Sequence, residues 1–169
     1  MKPWEARPAM SCRIRVCSAA AAAAFLIAST QGASAQNPFA TLVGSWSGSG
    51  QVRLVDGKTE AIRCRASYTN KEGGAGLGLS LRCASASNKI EMLANLSYTS
   101  GDISGSWEER SYNATGSVSG FATASKLNLS ITGGVNGSML VSVNGRAHSV
   151  SIKTDNPTLK GVDISLSKS

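Results

Sequence analysis

Polar and apolar residues alternate along almost all of residues 43–167, and this alternation limits the fold more than any other feature of the sequence. A period of two places successive side chains on opposite faces of a β-strand, and no segment has the spacing of an amphipathic helix. Short runs of Gly, Ser, Asn and Thr divide the pattern. We predict ten strands, at about 43–55, 60–70, 76–85, 88–99, 102–110, 114–122, 125–132, 138–144, 146–153 and 160–167.

The segment CRASYTNKEGGAGLGLSLRC, from Cys64 to Cys83, allows two interpretations. Its glycines are typical either of a phosphate-binding loop or of a turn. A phosphate loop requires a helix directly after the glycines, whereas a strand pattern follows here. With Gly73 and Gly74 at the centre of a turn, Cys64 lies opposite Cys83, within reach of a disulfide. We therefore predict a hairpin closed by a Cys64–Cys83 disulfide.

Folding the other hairpins about their turns brings apolar residues together on one face of the sheet. A ten-stranded meander can cover such a face by closing into an antiparallel barrel, or by folding over as a two-layer β-sandwich. The short turns favour the all-β, up-and-down barrel. The predicted pairs include Cys83 with Ile90, Ala94 with Trp107, Trp107 with Val118, Val118 with Leu129, Val141 with His148 and Leu54 with Ile62.

The N-terminus has the pattern of a secretory signal peptide. Four basic residues precede an alanine-rich apolar run, and Ala33-Ser34-Ala35 provides a cleavage site. We predict a signal peptide at 1–35, a short lead at 36–42 and a single domain at 43–169, located in the periplasm or outside the cell. Disulfides persist in those compartments.

The charge of the exported part is modest. Removing residues 1–35 takes away four of 17 basic and one of 10 acidic residues, which lowers the formal charge from +7 to +4. The remaining basic residues are scattered, so no nucleic-acid site is expected.

The first predicted strand opens with Gly44-Ser45-Trp46, and a G-x-W at this place resembles the calycin superfamily of lipocalin-like barrels. The resemblance implies that Trp46 packs at a closed end, beneath an arginine from a late strand. By the predicted register Tyr68, Tyr98 and Arg146 lie toward the same end. Ten strands are nearer the fatty-acid-binding and nitrobindin type.

A second resemblance covers most of residues 36–169. The runs GSWSGSGQVRLVDGKTEAIRCRASY, LSLRCAS, ISGSWEE, ATGSVSG, RAHSVSI and GVDISLS are similar to a group of small exported proteins of alphaproteobacteria. This resemblance implies no activity.

His148 is the only histidine, and its position in the alternation points it inward. A hydrogen-bonded core histidine is the simpler interpretation. An axial haem ligand, as in nitrobindin-like barrels, is the functional alternative, but nothing else in the sequence supports haem and no cofactor is expected. Two cysteines and one histidine are too few for a usual zinc site. Glu109 is expected to be solvated beyond the end of its strand. No nucleophile motif occurs, so we expect no enzyme.

Together these features predict an exported, non-catalytic barrel that binds or carries a small apolar ligand. The candidate cavity residues are Trp46, Tyr68, Tyr98, Trp107, Arg146 and His148. One alternative is a packed structural or protein-interaction domain of the cell envelope without a ligand. The other is a small outer-membrane barrel, although the few aromatics and the polar C-terminus do not suit one, and membrane association is not expected. Ligand identity and oligomeric state stay open.

Overall fold

The computed structural model describes residues 36–169, so the predicted signal peptide lies outside the described residues. A short helix, α1 (Phe39–Leu42), precedes the strands. The strands are β1 (Gly44–Leu54), β2 (Thr59–Lys71), β3 (Gly76–Ala84), β4 (Lys89–Thr99), β5 (Asp102–Glu109), β6 (Ala114–Ala122), β7 (Lys126–Gly133), β8 (Gly137–Asn144), β9 (Ala147–Thr154) and β10 (Leu159–Lys168). No helix in the described part of the chain is long and apolar enough to cross a membrane.

The ten strands form one closed antiparallel barrel. Each strand pairs with its neighbours in sequence, and β1 pairs with β10 to complete the ring. The predicted up-and-down barrel is confirmed, and the two-layer sandwich is wrong. Closure leaves no unpaired strand edge, which is how such a meander avoids edge-to-edge aggregation.

The β2–β3 hairpin has the predicted register. Cys64 lies opposite Cys83 and Tyr68 opposite Leu79. The cysteines form a disulfide with their Cα atoms 4.1 Å apart. The turn is longer than predicted, because a 3₁₀ turn at Glu72–Gly74 replaces the two-residue turn. The disulfide lies inside the barrel, since both cysteines are buried.

The register of β3 with β4 and of β4 with β5 is also confirmed, but four other predicted registers are wrong. Trp107 lies opposite Gly116 rather than Val118, and Val118 opposite Ile131 rather than Leu129. His148 lies opposite Val143, two residues from the predicted partner. Ile62 lies opposite Gly50 rather than Leu54, a slip of four. Every slip is even, so each residue keeps its face although its partner changes.

The apolar face points into the barrel and forms a continuous core. The outer wall is mostly Ser, Thr, Asn and charged residues, with only a few large apolar side chains exposed. This orientation is the opposite of the lipid-facing apolar band of an outer-membrane barrel. The interior therefore contains the groups from which a binding site can be built.

Two glycines on the inward face of β1 allow this strand to lie very close to β10. A Cβ at Gly48 would lie 2.0 Å from the Ser165 carbonyl oxygen of β10, and one at Gly50 would lie 2.1 Å from the Asp163 carbonyl. Only glycine permits this approach of the two backbones. These glycines shape the wall where β1 closes onto β10, in addition to leaving interior space.

Candidate functional site

One end of the barrel, called here the capped end, is closed by α1. Phe39 and Leu42 of α1 are almost completely buried. From the sequence, residues 36–42 are predicted only as a short segment preceding the domain. The Trp46 indole N–H donates to the Leu42 carbonyl at 2.6 Å. Phe39 also packs against Tyr98, with ring centroids 6.0 Å apart. The G-x-W tryptophan thus secures the cap to the first strand.

His148 lies beneath this cap between two aromatic rings. Its ring centroid is 4.6 Å from that of Trp46 and 5.5 Å from that of Tyr68, edge-on to both. The imidazole is 3% exposed, and neither nitrogen has a hydrogen-bond partner within residues 36–169. Burial lowers the pKa of His148 from 6.5 to about 4, and burial also raises the pKa of the Tyr68 hydroxyl. His148 is therefore a neutral imidazole at physiological pH, and the hydrogen bonds expected of a core histidine are missing.

The cation over Trp46 is Lys168 and not the arginine that the calycin resemblance implies. Lys168 Nζ lies 5.4 Å from the indole centroid, at the end of β10. Arg146 follows Gly145 in the two-residue β8–β9 turn and is exposed. Arg146 is two residues from His148, so the alternation would place both on the inward face. Arg146 belongs to the turn and not to a strand, however, and the alternation does not apply to it. Arg146 does not line the interior.

Trp107 points inward and lies toward the end of the barrel opposite α1. The Trp107 indole lies against Gly116 and donates to the Thr132 carbonyl at 3.3 Å. A Cβ on Gly116 would lie 2.6 Å from the indole nitrogen, so the bare backbone makes room for this ring. The indole therefore packs over the backbone of β6 at Gly116. Aromatic residues commonly cover a glycine on the neighbouring strand of a sheet in this way.

Glu109 is buried, contrary to the expectation that it is solvated. Its carboxylate accepts the backbone N–H groups of Glu91 at 2.9 Å, Ser111 at 3.0 Å and Tyr112 at 2.7 Å. Burial alone would raise the pKa of Glu109, but these donors outweigh it and hold the pKa below its usual value. Glu109 fixes the β5–β6 turn, and it lies at the end of the barrel opposite His148.

The end opposite α1, called here the mouth, is less completely filled. Six of its inward apolar side chains are only half-buried, although Ile62, Cys83 and Ile131 nearby are buried. At the capped end, by contrast, most inward side chains are buried, and Val43, Leu96 and Tyr98 are half-buried. Among the described residues no α-helix covers this end. These half-buried mouth residues are Val52, Ile90, Met92, Met139, Ile152 and Val162.

The predicted cavity residues thus separate into three places. Trp46, Tyr68 and His148 form one cluster, and Tyr98 joins its edge through Phe39. Trp107 lies nearer the mouth, and Arg146 is outside. Whether the inward residues bind a ligand stays a prediction. The sequence identified them by the G-x-W resemblance at Trp46 and by their inward positions in the alternation. Neither signal distinguishes a packed end of the barrel from an accessible one.

The residues around His148 do not fit a haem. Both imidazole nitrogens are enclosed, and the ring is held between two aromatic side chains, so neither nitrogen faces a space that a porphyrin iron can enter. In the described part of the chain, no three His, Cys, Asp or Glu side chains group together as metal ligands.

The closed ten-stranded meander, with its first-strand tryptophan at a sealed end, defines a calycin-like barrel. Solved structures that share this fold include two examples. Rv2717c from M. tuberculosis superimposes with a TM-score of 0.63 at 14% identity, over 76% of this chain and 93% of that one. The S-type phycobiliprotein lyase CPES from Guillardia theta gives 0.56 at 12% identity, over 78% and 90%.

At these identities the likeness shows the fold alone. No protein-family model matches the chain, and no curated protein is significantly similar to it in sequence. The resemblance to small exported alphaproteobacterial proteins therefore stays a prediction.

Proposed function

We propose that the chain is an exported carrier or binding protein that takes a small apolar ligand through the mouth of its barrel. The observation that carries this proposal is the difference between the two ends. At the capped end α1, Trp46 and Leu166 are buried, whereas mouth residues such as Met139 and Ile152 leave part of their apolar surface accessible. A concave apolar space with few polar groups is the usual form of a small-molecule site.

The composition of the mouth indicates what kind of ligand it suits. Its inward side chains are aliphatic or thioether groups, and methionines adapt their shape to different partners. The nearest inward charged side chain, Glu109, already accepts three backbone N–H groups. An apolar or largely apolar molecule is therefore favoured over a charged one. One structural neighbour is by its title an S-type phycobiliprotein lyase.

A role without catalysis is part of the proposal. The two inward ionisable groups that a general acid–base pair would use, His148 and Glu109, lie at opposite ends of the barrel. His148 contacts aromatic rings, and Glu109 is occupied by the β5–β6 turn. Export to the periplasm or outside the cell is proposed from the N-terminal sequence, and the buried Cys64–Cys83 disulfide agrees with it.

Blocking the mouth tests the proposal. Protein purified from its own host is analysed by native mass spectrometry, and its binding of an uncharged fluorescent apolar probe, N-phenyl-1-naphthylamine, is titrated. The variant Ile152→Trp fills the mouth from β9, and Ser149→Trp adds the same ring to the outer face of the same strand as a matched control. We expect the probe to bind wild type and Ser149→Trp but not Ile152→Trp. Equal binding by all three, or no binding by wild type, would contradict a ligand site at the mouth.

A packed envelope or protein-interaction domain is the second candidate. The observation that favours it is that the buried core is continuous, including Phe39 and Ile131, and that Trp107 packs against Gly116, which leaves room for the indole. In that case native mass spectrometry shows only the mass of the polypeptide, and Ile152→Trp destabilises the fold by overpacking without any change in ligand binding.

A further inference from the structure

The outer wall of the barrel carries a groove whose composition the proposed interior site does not explain. It crosses strands β6–β9 and has a volume of about 600 Å³. Phe121 is 56% exposed and Leu140 40% exposed, although large apolar side chains are otherwise rare outside. Asn128 of β7 lies between them, directly opposite each in the register. With strands about 4.8 Å apart, Phe121 and Leu140 are roughly 10 Å apart.

A second row of residues runs parallel to the first across the same strands. Ser119 lies opposite Ser130, which lies opposite Ser138, which lies opposite Lys153. The groove therefore has an apolar row with a central amide and, beside it, a row of three hydroxyls. Of the lining residues only Lys153 carries a charge.

The polar groups of the groove are not used by the protein itself. Within residues 36–169, the side chains of Ser119, Asn128, Ser130 and Ser138 take part in no hydrogen bond, whereas Ser151 at the far edge donates to Asp163. Asn128 is half-buried, so part of its hydration is already lost. An amide offers two donors and an acceptor, and each hydroxyl offers both functions. A ligand that supplies complementary hydroxyls would satisfy them.

Gly120 lines the groove at a point where β6 and β7 lie close together. A Cβ at Gly120 would lie 2.1 Å from the Asn128 carbonyl oxygen, so β6 and β7 approach closely beside Phe121. Phe121 lies directly opposite Asn128 and is more than half exposed. A Phe ring with a free face is suited to stacking against another apolar surface.

We propose that this groove is a binding site for a neutral saccharide of about two sugar rings. A pyranose has an apolar face of C–H groups, which would stack on Phe121, and a rim of hydroxyls, which would bond Asn128 and the serine row. A peptide strand is not favoured, since the closed barrel has no free edge to extend. Two apolar side chains are also far less than a stable protein interface needs, which is about 800 Å² on each partner. The site is independent of the proposed interior ligand.

The test uses ¹⁵N-labelled residues 36–169, which form the whole described fold, titrated with the neutral disaccharides maltose, cellobiose and N,N′-diacetylchitobiose at millimolar concentration. A hyaluronan disaccharide serves as the anionic probe. We expect at least one neutral sugar to shift amide resonances of β6–β9 and no others. Phe121→Ser should weaken that binding about tenfold or more, from the loss of aromatic contact. Tyr112→Ser removes an aromatic ring that is 61% exposed elsewhere and should have no effect.

Ser130→Ala is a second variant, since it removes one hydroxyl of the serine row without touching the apolar row, and we expect several-fold weaker binding. Unperturbed spectra with all three neutral sugars would overturn the proposal, as would equal binding by Phe121→Ser and wild type. Preference for the anionic sugar would overturn the neutral class. A dimer in sedimentation that disappears with Phe121→Ser would show that the groove is an interface between two copies instead. The variants' own spectra, matching wild type away from the groove, exclude misfolding as the cause of lost binding.

Discussion

His148 should make the stability of the barrel depend on pH in a way that can be measured directly. Its imidazole is almost fully buried against Trp46 and Tyr68 with no hydrogen-bond partner, and burial lowers its pKa to about 4. The unfolded chain binds a proton at this site with the ordinary pKa of 6.5. Between these two values the unfolded state holds more protons than the folded state, so stability falls as pH falls.

The size of the effect follows from the two pKa values. Linkage predicts a loss of about 2 kcal/mol between pH 7 and pH 5, and about 3 kcal/mol by pH 4. Below pH 4 the folded state also becomes protonated, and the loss levels off. Above pH 7 the imidazole is neutral in both states and contributes no further pH dependence.

The assay is urea denaturation of wild type and of His148→Phe from pH 7 to pH 3.5. Phenylalanine fills a similar volume and cannot take up a proton. The difference between the two unfolding free energies should change by about 3 kcal/mol across this range, because the carboxylates titrate equally in both proteins and cancel. Since His148 is the only histidine, its imidazole proton resonance also reports the folded-state pKa without overlap.

Parallel stability curves for the two proteins would refute this reasoning. So would an imidazole resonance that titrates near pH 6.5 in the folded protein. Either result would mean that water or a polar partner reaches His148, and that its enclosure by Trp46 and Tyr68 is incomplete.

Three further substitutions test other parts of the fold. Replacing Cys64 and Cys83 together by alanine should lower the unfolding free energy by about 3 kcal/mol, from the loop that their disulfide closes, as measured by urea titration. Glu109→Gln should cost about 1–3 kcal/mol at pH 7, because an amide has one acceptor oxygen for three backbone N–H groups and leaves a buried donor unpaired. Gly48→Ala should lower the thermal midpoint by several degrees, at a cost of about 1–3 kcal/mol, since its Cβ would meet the Ser165 carbonyl.

Each of these variants has a control or a contrary result. Wild type under reducing conditions should match the double cysteine variant, and unchanged stability in both would contradict the role of the disulfide. Glu108→Gln alters an exposed neighbour and should change stability little, so equal effects at both glutamates would disprove the turn-fixing role of Glu109. Ser49→Ala, on the outer face beside Gly48, should be tolerated. If Gly48→Ala is tolerated as well, β1 and β10 are not in the close contact described.

Much of the fold could be predicted from the sequence because the alternation is a local property. Each residue's face follows from its own position in a strand, so inward and outward residues were identified even where the partner strand was misaligned. The Trp107–Val118 and Val141–His148 pairings were wrong by two residues, yet all four residues point inward. A slip by an even number leaves every face unchanged, and the apolar pattern therefore cannot detect it.

The candidate sites were less accessible to prediction. Arg146 has inward parity but belongs to a turn. Glu109 is the last residue of β5, and the expectation that it is solvated assumed that the strand ends before it, although the predicted strand 102–110 contains it. The position of a turn shifts by one or two residues with almost no change in pattern, and the burial of a terminal side chain depends on it. The Phe121 groove was missed because its residues are neighbours across four strands and are far apart along the chain.

The sequence by itself therefore determined the strand number, the hairpin of Cys64 with Cys83 and the face of nearly every side chain. Each of these depends on spacing within a few residues of one turn. Only the tertiary structure decided that β1 meets β10, that α1 seals one end over His148, and that Lys168 lies above Trp46. These contacts join residues more than a hundred positions apart, or residues whose packing depends on the curvature of the whole ring. Barrel closure sums the registers of all ten strands, and no single stretch of sequence contains that sum.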